Sequence, residues 1–202
     1  QNGVFKTTNG GEEWIKKENG IPSFNRPEFR SFSIDPKNPD IVYCGGNYSP
    51  DPVDFCRVRG FILKTVDGGE HWEQILDIGN LVRWIRIHPE NTDIIYASTG
   101  IFDRLEYEKL GVLKSTDGGS TWVQINNGIN NIAAITGLAM HPQNPDILYA
   151  CTGKWQPFFD LPQDNFGAIY KTINAGENWQ EIYTGIEGNT FTTLNIDQNN
   201  PD

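Results

Sequence analysis

One nine-residue pattern, repeated four times, confines this chain to a repeat architecture. It reads Lys6-Thr7-Thr8-Asn9-Gly10-Gly11-Glu12-Glu13-Trp14, then Lys64-Thr65-Val66-Asp67-Gly68-Gly69-Glu70-His71-Trp72. It returns as Lys114-Ser115-Thr116-Asp117-Gly118-Gly119-Ser120-Thr121-Trp122 and as Lys171-Thr172-Ile173-Asn174-Ala175-Gly176-Glu177-Asn178-Trp179. The closing tryptophans stand 58, 50 and 57 residues apart. Self-similarity at such a period signals a propeller or an array of stacked units, and it outranks any local reading. A second pattern alternates with the first: Ile34-Asp35-Pro36-Lys37-Asn38-Pro39-Asp40, Ile87-His88-Pro89-Glu90-Asn91-Thr92-Asp93, Met140-His141-Pro142-Gln143-Asn144-Pro145-Asp146 and Ile196-Asp197-Gln198-Asn199-Asn200-Pro201-Asp202. In the first three copies it leads into a β-branched or aliphatic run closed by Tyr43, Tyr96 or Tyr149.

Both patterns have the chemistry of turns between strands. In the first, a hydroxyl residue ends a strand, and the short side chain of Asn9, Asp67, Asp117 or Asn174 accepts hydrogen bonds from backbone N–H groups ahead of it. Glycine supplies the positive φ that a β-carbon opposes. The tryptophan opens the next strand and lays its ring across the turn. In the second, Pro and Asn-Pro-Asp build a rigid loop before a run that tolerates no internal proline. His88 and His141 precede proline where Asp35 and Asp197 stand in the other copies, which gives them a turn role rather than a ligand role.

Each repeat then yields four strands, like Val82 to Ile87, Asp93 to Ser98, Gly111 to Ser115 and Thr121 to Ile125. Alternation places Phe32 and Ile34, Ile85 and Ile87, Leu138 and Met140, and Leu194 and Ile196 on one face of the first strand. A four-stranded antiparallel sheet of this size cannot bury both faces alone, and radial stacking on its neighbours solves that. The expected fold is all-β, a β-propeller of four-stranded antiparallel blades. Its division is a half blade over 1–20, blades over 21–77, 78–127 and 128–185, and the first strand of a next blade over 186–202. Counting strands gives fifteen, one short of a closed ring of four blades. The chain is expected to be a segment of a larger ring, completed by further blades or by another chain. It opens inside a strand pattern without an initiator Met, which reads as mature or truncated material.

The formal charge of −10 argues against nucleic acid, whose phosphates call for a basic stripe. No apolar run approaches the length of a membrane-spanning helix, so no membrane insertion is expected. Cys44, Cys56 and Cys151 are too few for a disulfide scaffold. Cys44 and Cys56 bracket one loop, and a bridge between them and three inert thiols are equally open readings. No cysteine or histidine spacing points to a metal, and no cofactor is expected.

Ser115-Thr116-Asp117-Gly118-Gly119-Ser120-Thr121-Trp122 resembles a complete Asp-box, the bacterial-neuraminidase repeat. The other copies are near matches, with Asn9 and Asn174 in place of Asp and Ala175 in place of Gly. The resemblance covers essentially the whole chain and points to the superfamily of sialidases, xyloglucan-hydrolysing glycosidases, sortilin-type receptor ectodomains and photosystem-II assembly factors. It implies a ring of six to ten blades. The Pro-x-Asn-Pro-Asp loop is most similar to the xyloglucanase-like, sortilin-like and assembly-factor-like branch. In these families the Asp-box is a structural turn away from the active face, so the resemblance transfers no catalytic residue.

Antiparallel topology puts both patterns at one end of each blade and the second-to-third-strand loops at the other. Those loops, Gly46 to Arg59, Gly100 to Leu110 and Gly153 to Phe166, are long and irregular. They carry Tyr48, Phe55, Phe102, Tyr107, Trp155, Phe158 and Phe159 among carboxylates. Rings beside polar groups suit sugar faces or extended peptides, although each ring can equally pack its own loop onto the blade. Arg30 and Arg83 occupy matching positions on the first strand, where Thr136 and Thr192 stand in other copies. They can grip an anionic group bidentately or pair with a loop carboxylate. The candidate binding residues are therefore Tyr48, Phe102, Trp155, Phe158, Arg30 and Arg83. The reading is an extracytoplasmic, non-catalytic segment that binds glycan or polypeptide, or scaffolds an assembly, through its long-loop face. The alternative is part of a glycoside hydrolase, whose two carboxylates no spacing here singles out. Secretion follows family habit and one sequon, Asn47-Tyr48-Ser49.

Overall fold

The computed structural model describes residues 3–53, 57–100, 110–130, 134–153, 167–183 and 191–201. A two-stranded pair, β1 (Phe5–Lys6) and β2 (Ile15–Lys16), precedes three four-stranded sheets. The first sheet holds β3 (Glu28–Ile34), β4 (Val42–Tyr48), β5 (Arg59–Thr65) and β6 (Glu73–Ile78). The second holds β7 (Val82–Ile87), β8 (Ile95–Thr99), β9 (Val112–Ser115) and β10 (Val123–Gln124). The third holds β11 (Ile135–Met140), β12 (Leu148–Thr152), β13 (Ile169–Thr172) and β14 (Gln180–Tyr183). Each is an antiparallel meander in sequence order, and the architecture is all-β, a β-propeller segment. No helix among the described residues is long and apolar enough to cross a membrane.

The core lies between blades rather than within them. Tyr43 and Ile62 of the first sheet meet Val82, Ile85 and Ile87 of the second. Tyr96 and Val112 of the second meet Ile135 and Leu138 of the third. Fully burying one such aliphatic side chain is worth about 1.5 to 3 kcal/mol, so each interface outweighs any single hydrogen bond in it. Ile85 and Ile87 are buried, whereas their counterparts Phe32 and Ile34 are 51% and 60% exposed. The difference follows from what lies on the N-terminal side of each sheet: four strands next to Ile85, only the β1–β2 pair next to Phe32.

The first strands of adjacent blades, β3, β7 and β11, run side by side, while the fourth strands make no comparable contact. Polar bonds join this inner row. The Ile85 N–H donates to Ser31 Oγ at 3.1 Å, and Trp84 Nε1 donates to the Thr136 carbonyl at 2.8 Å. The row repeats an irregularity, because register slips between Phe29 and Ser31, between Val82 and Trp84, and between Ile135 and Gly137. The extra residue at each β-bulge is Arg30, Arg83 or Thr136 in turn. A bulge frees one residue from the ladder and re-aims its side chain.

The four Trp-ended turns share one bonding scheme. Thr65 Oγ1 donates to Asp67 Oδ1 at 2.7 Å and accepts the Gly69 N–H at 3.0 Å, while Asp67 Oδ1 accepts the His71 N–H at 2.9 Å. Ser115 and Asp117 repeat this with Gly119 and Thr121, Thr172 and Asn174 with Gly176 and Asn178, and Thr7 and Asn9 with Gly11 and Glu13. Two successive left-handed residues make the turn possible, Gly118 at φ 67° and Gly119 at φ 91° for example. In the fourth copy Ala175 holds φ 55° despite its β-carbon. The neighbouring Pro-containing loop is tied to the same turn, since the Gly118 N–H donates to the Asp93 carbonyl at 3.0 Å.

Two expectations about strand limits need correction. β4 continues through Gly46, Asn47 and Tyr48, which the sequence assigned to a loop. Gly46 pairs with Phe29 and Phe61, and only glycine fits there, since a β-carbon would lie 2.1 Å from the Glu28 carbonyl oxygen. At the other end, the strand expected to open a further blade is not formed over residues 191–201. That segment runs beside β11, where the Thr136 hydroxyl donates to the Phe191 carbonyl at 2.5 Å. It has no ladder partner among the described residues, and a strand without a neighbour has no repeating backbone bonds to hold it.

Candidate functional site

The two ends of the blades are built differently. At one end lie the Trp-ended turns and the Pro-containing loops. At the other, the first sheet presents Glu28 and Arg30 on β3, Asn47 and Tyr48 on β4, Arg59 on β5, and Asp77 on β6. Register sets them in a row across the sheet, Glu28 opposite Asn47, Tyr48 opposite Arg59 and Phe61 opposite Asp77.

Arg30 leaves its bulge sideways. Its Nε donates to Asn47 Oδ1 at 2.6 Å, and its guanidinium forms an ion pair with Glu28. Arg83 leaves the matching bulge and donates through Nε to the Gly100 carbonyl at 2.7 Å. Asn47 and Gly100 occupy equivalent positions at the ends of the second strands. Both arginines are therefore mounted alike, with Nε anchored on the end of the second strand. Burial raises the Cys151 pKa, and the hydroxyl of Thr136 and the Arg83 charge work against that rise.

Tyr48 is half-buried. Its ring stacks on Phe24 with centroids 4.5 Å apart, Phe24 stacks in turn on Phe61 at 4.6 Å, and the Tyr48 hydroxyl donates to Asp77 at 3.1 Å. Arg59 Nε donates to the other oxygen of Asp77 at 2.7 Å. Burial first, and then the Asp77 charge, pushes the Tyr48 pKa up, while the hydrogen bond to Asp77 raises that of Arg59. The result is an aromatic step flanked by a fixed carboxylate and guanidinium, a surface that can take CH groups on the ring and hydroxyls on the charges.

Phe102, Trp155 and Phe158, like Phe55, Tyr107 and Phe159, lie outside the described residues. Asn9, Asp67, Asp117 and Asn174 sit at the opposite end, in the turns described above. Backbone and hydroxyl donors lower the Asp67 carboxyl, and the hydroxyl and N–H of Thr121 hold Asp117 down at about 2. Cys44 is a free, fully buried thiol in β4, whose pKa burial raises. It is packed among Val4, Phe61, Leu63 and Trp72, and Cys56, its candidate partner in a bridge, lies outside the described residues. Asn47 of the sequon is 7% exposed, and its side-chain oxygen accepts from Arg30. Among the described residues no cluster of His, Cys, Asp or Glu could hold a metal ion. His88 and His141 cap their loops through Nδ1, which accepts N–H groups at 3.0 to 3.2 Å, as Asp35 does through Oδ1 at 2.7 and 3.2 Å.

Sequence reasoning missed Phe24, Arg59, Asn47 and Asp77. Arg59 and Asp77 become visible only once β5 and β6 are paired. Phe24 lies in a connector whose only signal is a lone aromatic after Pro22.

Fold and rim together define the class: a segment of a β-propeller with one regular and one variable end. No protein-family profile matches the chain. It is 27% identical over 203 aligned residues to the xyloglucanase Xgh74A of Acetivibrio thermocellus, covering 92% of this chain and 22% of the enzyme. The chain thus spans about a fifth of the length of that curated relative. Among solved structures, the GH74 enzyme of Niastella koreensis superposes with a TM-score of 0.63 at 19% identity, over 89% of this chain and 26% of its own. YCF48 from Cyanidioschyzon merolae superposes with a TM-score of 0.50 at 19% identity, over 80% and 38%. These likenesses establish the β-propeller fold.

Proposed function

We propose that this chain is an Asp-box propeller segment that binds glycan through its long-loop end and does no chemistry by itself. The observation carrying the proposal is the pair of equivalent bulges, which mount Arg30 and Arg83 alike beside the loops where three blades diverge in sequence. Glycan is favoured over polypeptide because the similar curated protein is named a xyloglucanase. A β-glucan chain would lie along the rim, its ring faces on Tyr48, Phe102, Trp155 and Phe158, its hydroxyls on Arg30, Arg83 and Asp77. The four turns at Asn9, Asp67, Asp117 and Asn174 hold the blades on the opposite side. Further blades complete the ring, and the protein works outside the cytoplasm, secreted, periplasmic or on the cell surface.

Among the described carboxyls, both resolved shifts run downward, and both belong to turns. A glycosidic acid needs a raised carboxyl, so these groups suit anchoring. The likeness to a xyloglucanase also favours a second reading, in which the segment belongs to a hydrolase whose catalytic carboxylates lie in its loops or in other blades.

Calorimetric titration with xyloglucan oligosaccharides, cellooligosaccharides and sialosides separates these readings from each other and from peptide binding. We expect binding of the neutral β-glucans, weakening on Trp155→Ala without a shift in melting temperature, and no release of reducing ends. Steady release abolished by replacing one loop carboxylate would establish the second reading, and no glycan binding at all would sink both.

A further inference from the structure

Adjacent blades are joined by a three-membered contact that repeats along the chain. The lysine preceding each Trp-ended turn reaches across to the corresponding turn of the following blade and donates to the carbonyl of its first left-handed residue. Lys6 Nζ donates to Gly68 O at 2.8 Å, Lys64 Nζ to Gly118 O at 2.9 Å, and Lys114 Nζ to Ala175 O at 3.1 Å. The tyrosine near the start of each second strand donates to the same carbonyl, Tyr43 to Gly118 at 3.1 Å and Tyr96 to Ala175 at 3.5 Å. The lysine stands over the tyrosine ring, Lys64 at 5.3 Å from the Tyr43 centroid and Lys114 at 5.4 Å from that of Tyr96. A charge-assisted hydrogen bond and a neutral one thus converge on one oxygen, and a cation–π contact joins their two donors.

The fourth copy has two of the three members. Lys171 stands 5.2 Å from the Tyr149 centroid, and neither the ammonium nor the Tyr149 hydroxyl has an acceptor among the described residues. The neighbourhood is prepared as well. Residues 191–201 already run beside β11, held by the Thr136 hydroxyl on the Phe191 carbonyl, where a following blade would begin. We propose that Lys171 and Tyr149 form the docking socket for a following blade of the same chain. Its specific occupant is the carbonyl oxygen of a left-handed Gly or Ala in that blade's third-to-fourth-strand turn. The socket fixes radial register as well as adhesion: an apolar interface tolerates sliding, but a single oxygen held by two donors does not.

The test appends a copy of residues 94–127 directly after Asp202, which stands where Asp93 stands in the repeat. Lysine acetylation rates, read by mass spectrometry, are compared in the parent and extended chains. In the parent, Lys171 should react fast and Lys64 and Lys114 slowly. In the extended chain, Lys171 should slow by about tenfold, as expected of a charge-assisted bond that must open before reaction. Lys171→Met should lower the melting temperature of the extended chain and leave that of the parent unchanged. Undiminished Lys171 reactivity in the extended chain, or equal effects of Lys171→Met in both, overturns the proposal. Protection of Lys171 that rises with the concentration of the parent chain also overturns it, by assigning the socket to a second copy.

Discussion

The two ends of each blade obey different rules. At the turn end, four copies repeat the same bonds through Thr or Ser, Asp or Asn, and a glycine N–H. At the loop end, the first blade carries Arg30, Asn47, Tyr48, Arg59 and Asp77, while the second has Gly100 where the first has Asn47. The turn end is bound by backbone groups that must find partners once buried. The loop end has no such obligation and varies freely. Constraint of the fold and freedom of the surface are thus segregated to opposite sides of the same strands.

This contrast can be broken most severely in the core behind a turn. Trp179→Ala removes a buried ring and the Nε1 bond to Ile125 O at 2.7 Å. Denaturant titration should show a loss of about 3 to 5 kcal/mol. Next comes the turn pivot: Thr65→Val leaves the Gly69 N–H without its acceptor in a buried position. The expected cost is about 1 to 3 kcal/mol, and a neutral result would deny that the hydroxyl holds the turn.

Smaller effects sharpen the comparison. Asp117 is held at about 2 against an ordinary 3.8. A carboxyl lowered by folding stabilises above the ordinary value, and that contribution is lost as pH falls through about 2. Asp117→Asn should flatten the acid limb of the stability profile between those values, and an unchanged limb would refute the assignment. Replacing His141 by Asp, the residue that performs the same capping at Asp35, should be milder than His141→Leu in thermal melts. Smallest of all, Arg30→Lys, which keeps a donor for the buried Asn47 oxygen, should alter stability by less than about 0.5 kcal/mol, while changing ligand affinity through loss of the planar fork. Comparable losses in both would move Arg30 from the variable side to the constrained side.

Much of the fold was legible because the repeat announces itself through residues with strict local roles. Gly118-Gly119 and Pro89 each admit few backbone conformations, so their recurrence fixes where strands begin and end. Alternation along Ile85 and Ile87 likewise named the buried face. The burial of Asn47 was not legible, because it depends on Arg30 arriving from a bulge two residues after Glu28, and no residue type in Glu28-Phe29-Arg30-Ser31 marks a bulge. The matching of Arg30 with Arg83 was visible, but its cause was not. The Lys and Tyr contacts between blades escaped for a related reason: Lys64 and Gly118 are far apart in sequence, and their acceptor is a backbone oxygen that leaves no trace in residue identity. Ala175 in a left-handed conformation read only as a departure from the repeat.

The recurrent bulge has a consequence for how such a protein can change. A residue that opposes no partner in the ladder contributes little to holding its sheet together, yet here it stands at the same height on every blade. Substitutions at positions 30 and 83 can therefore alter what the rim attracts at no cost to the ladder itself, whereas the third such residue, Thr136, is fully buried and bonded to the Phe191 carbonyl. Gene duplication would hand each new repeat another copy of this vacant post, already aimed, to be furnished independently of the rest.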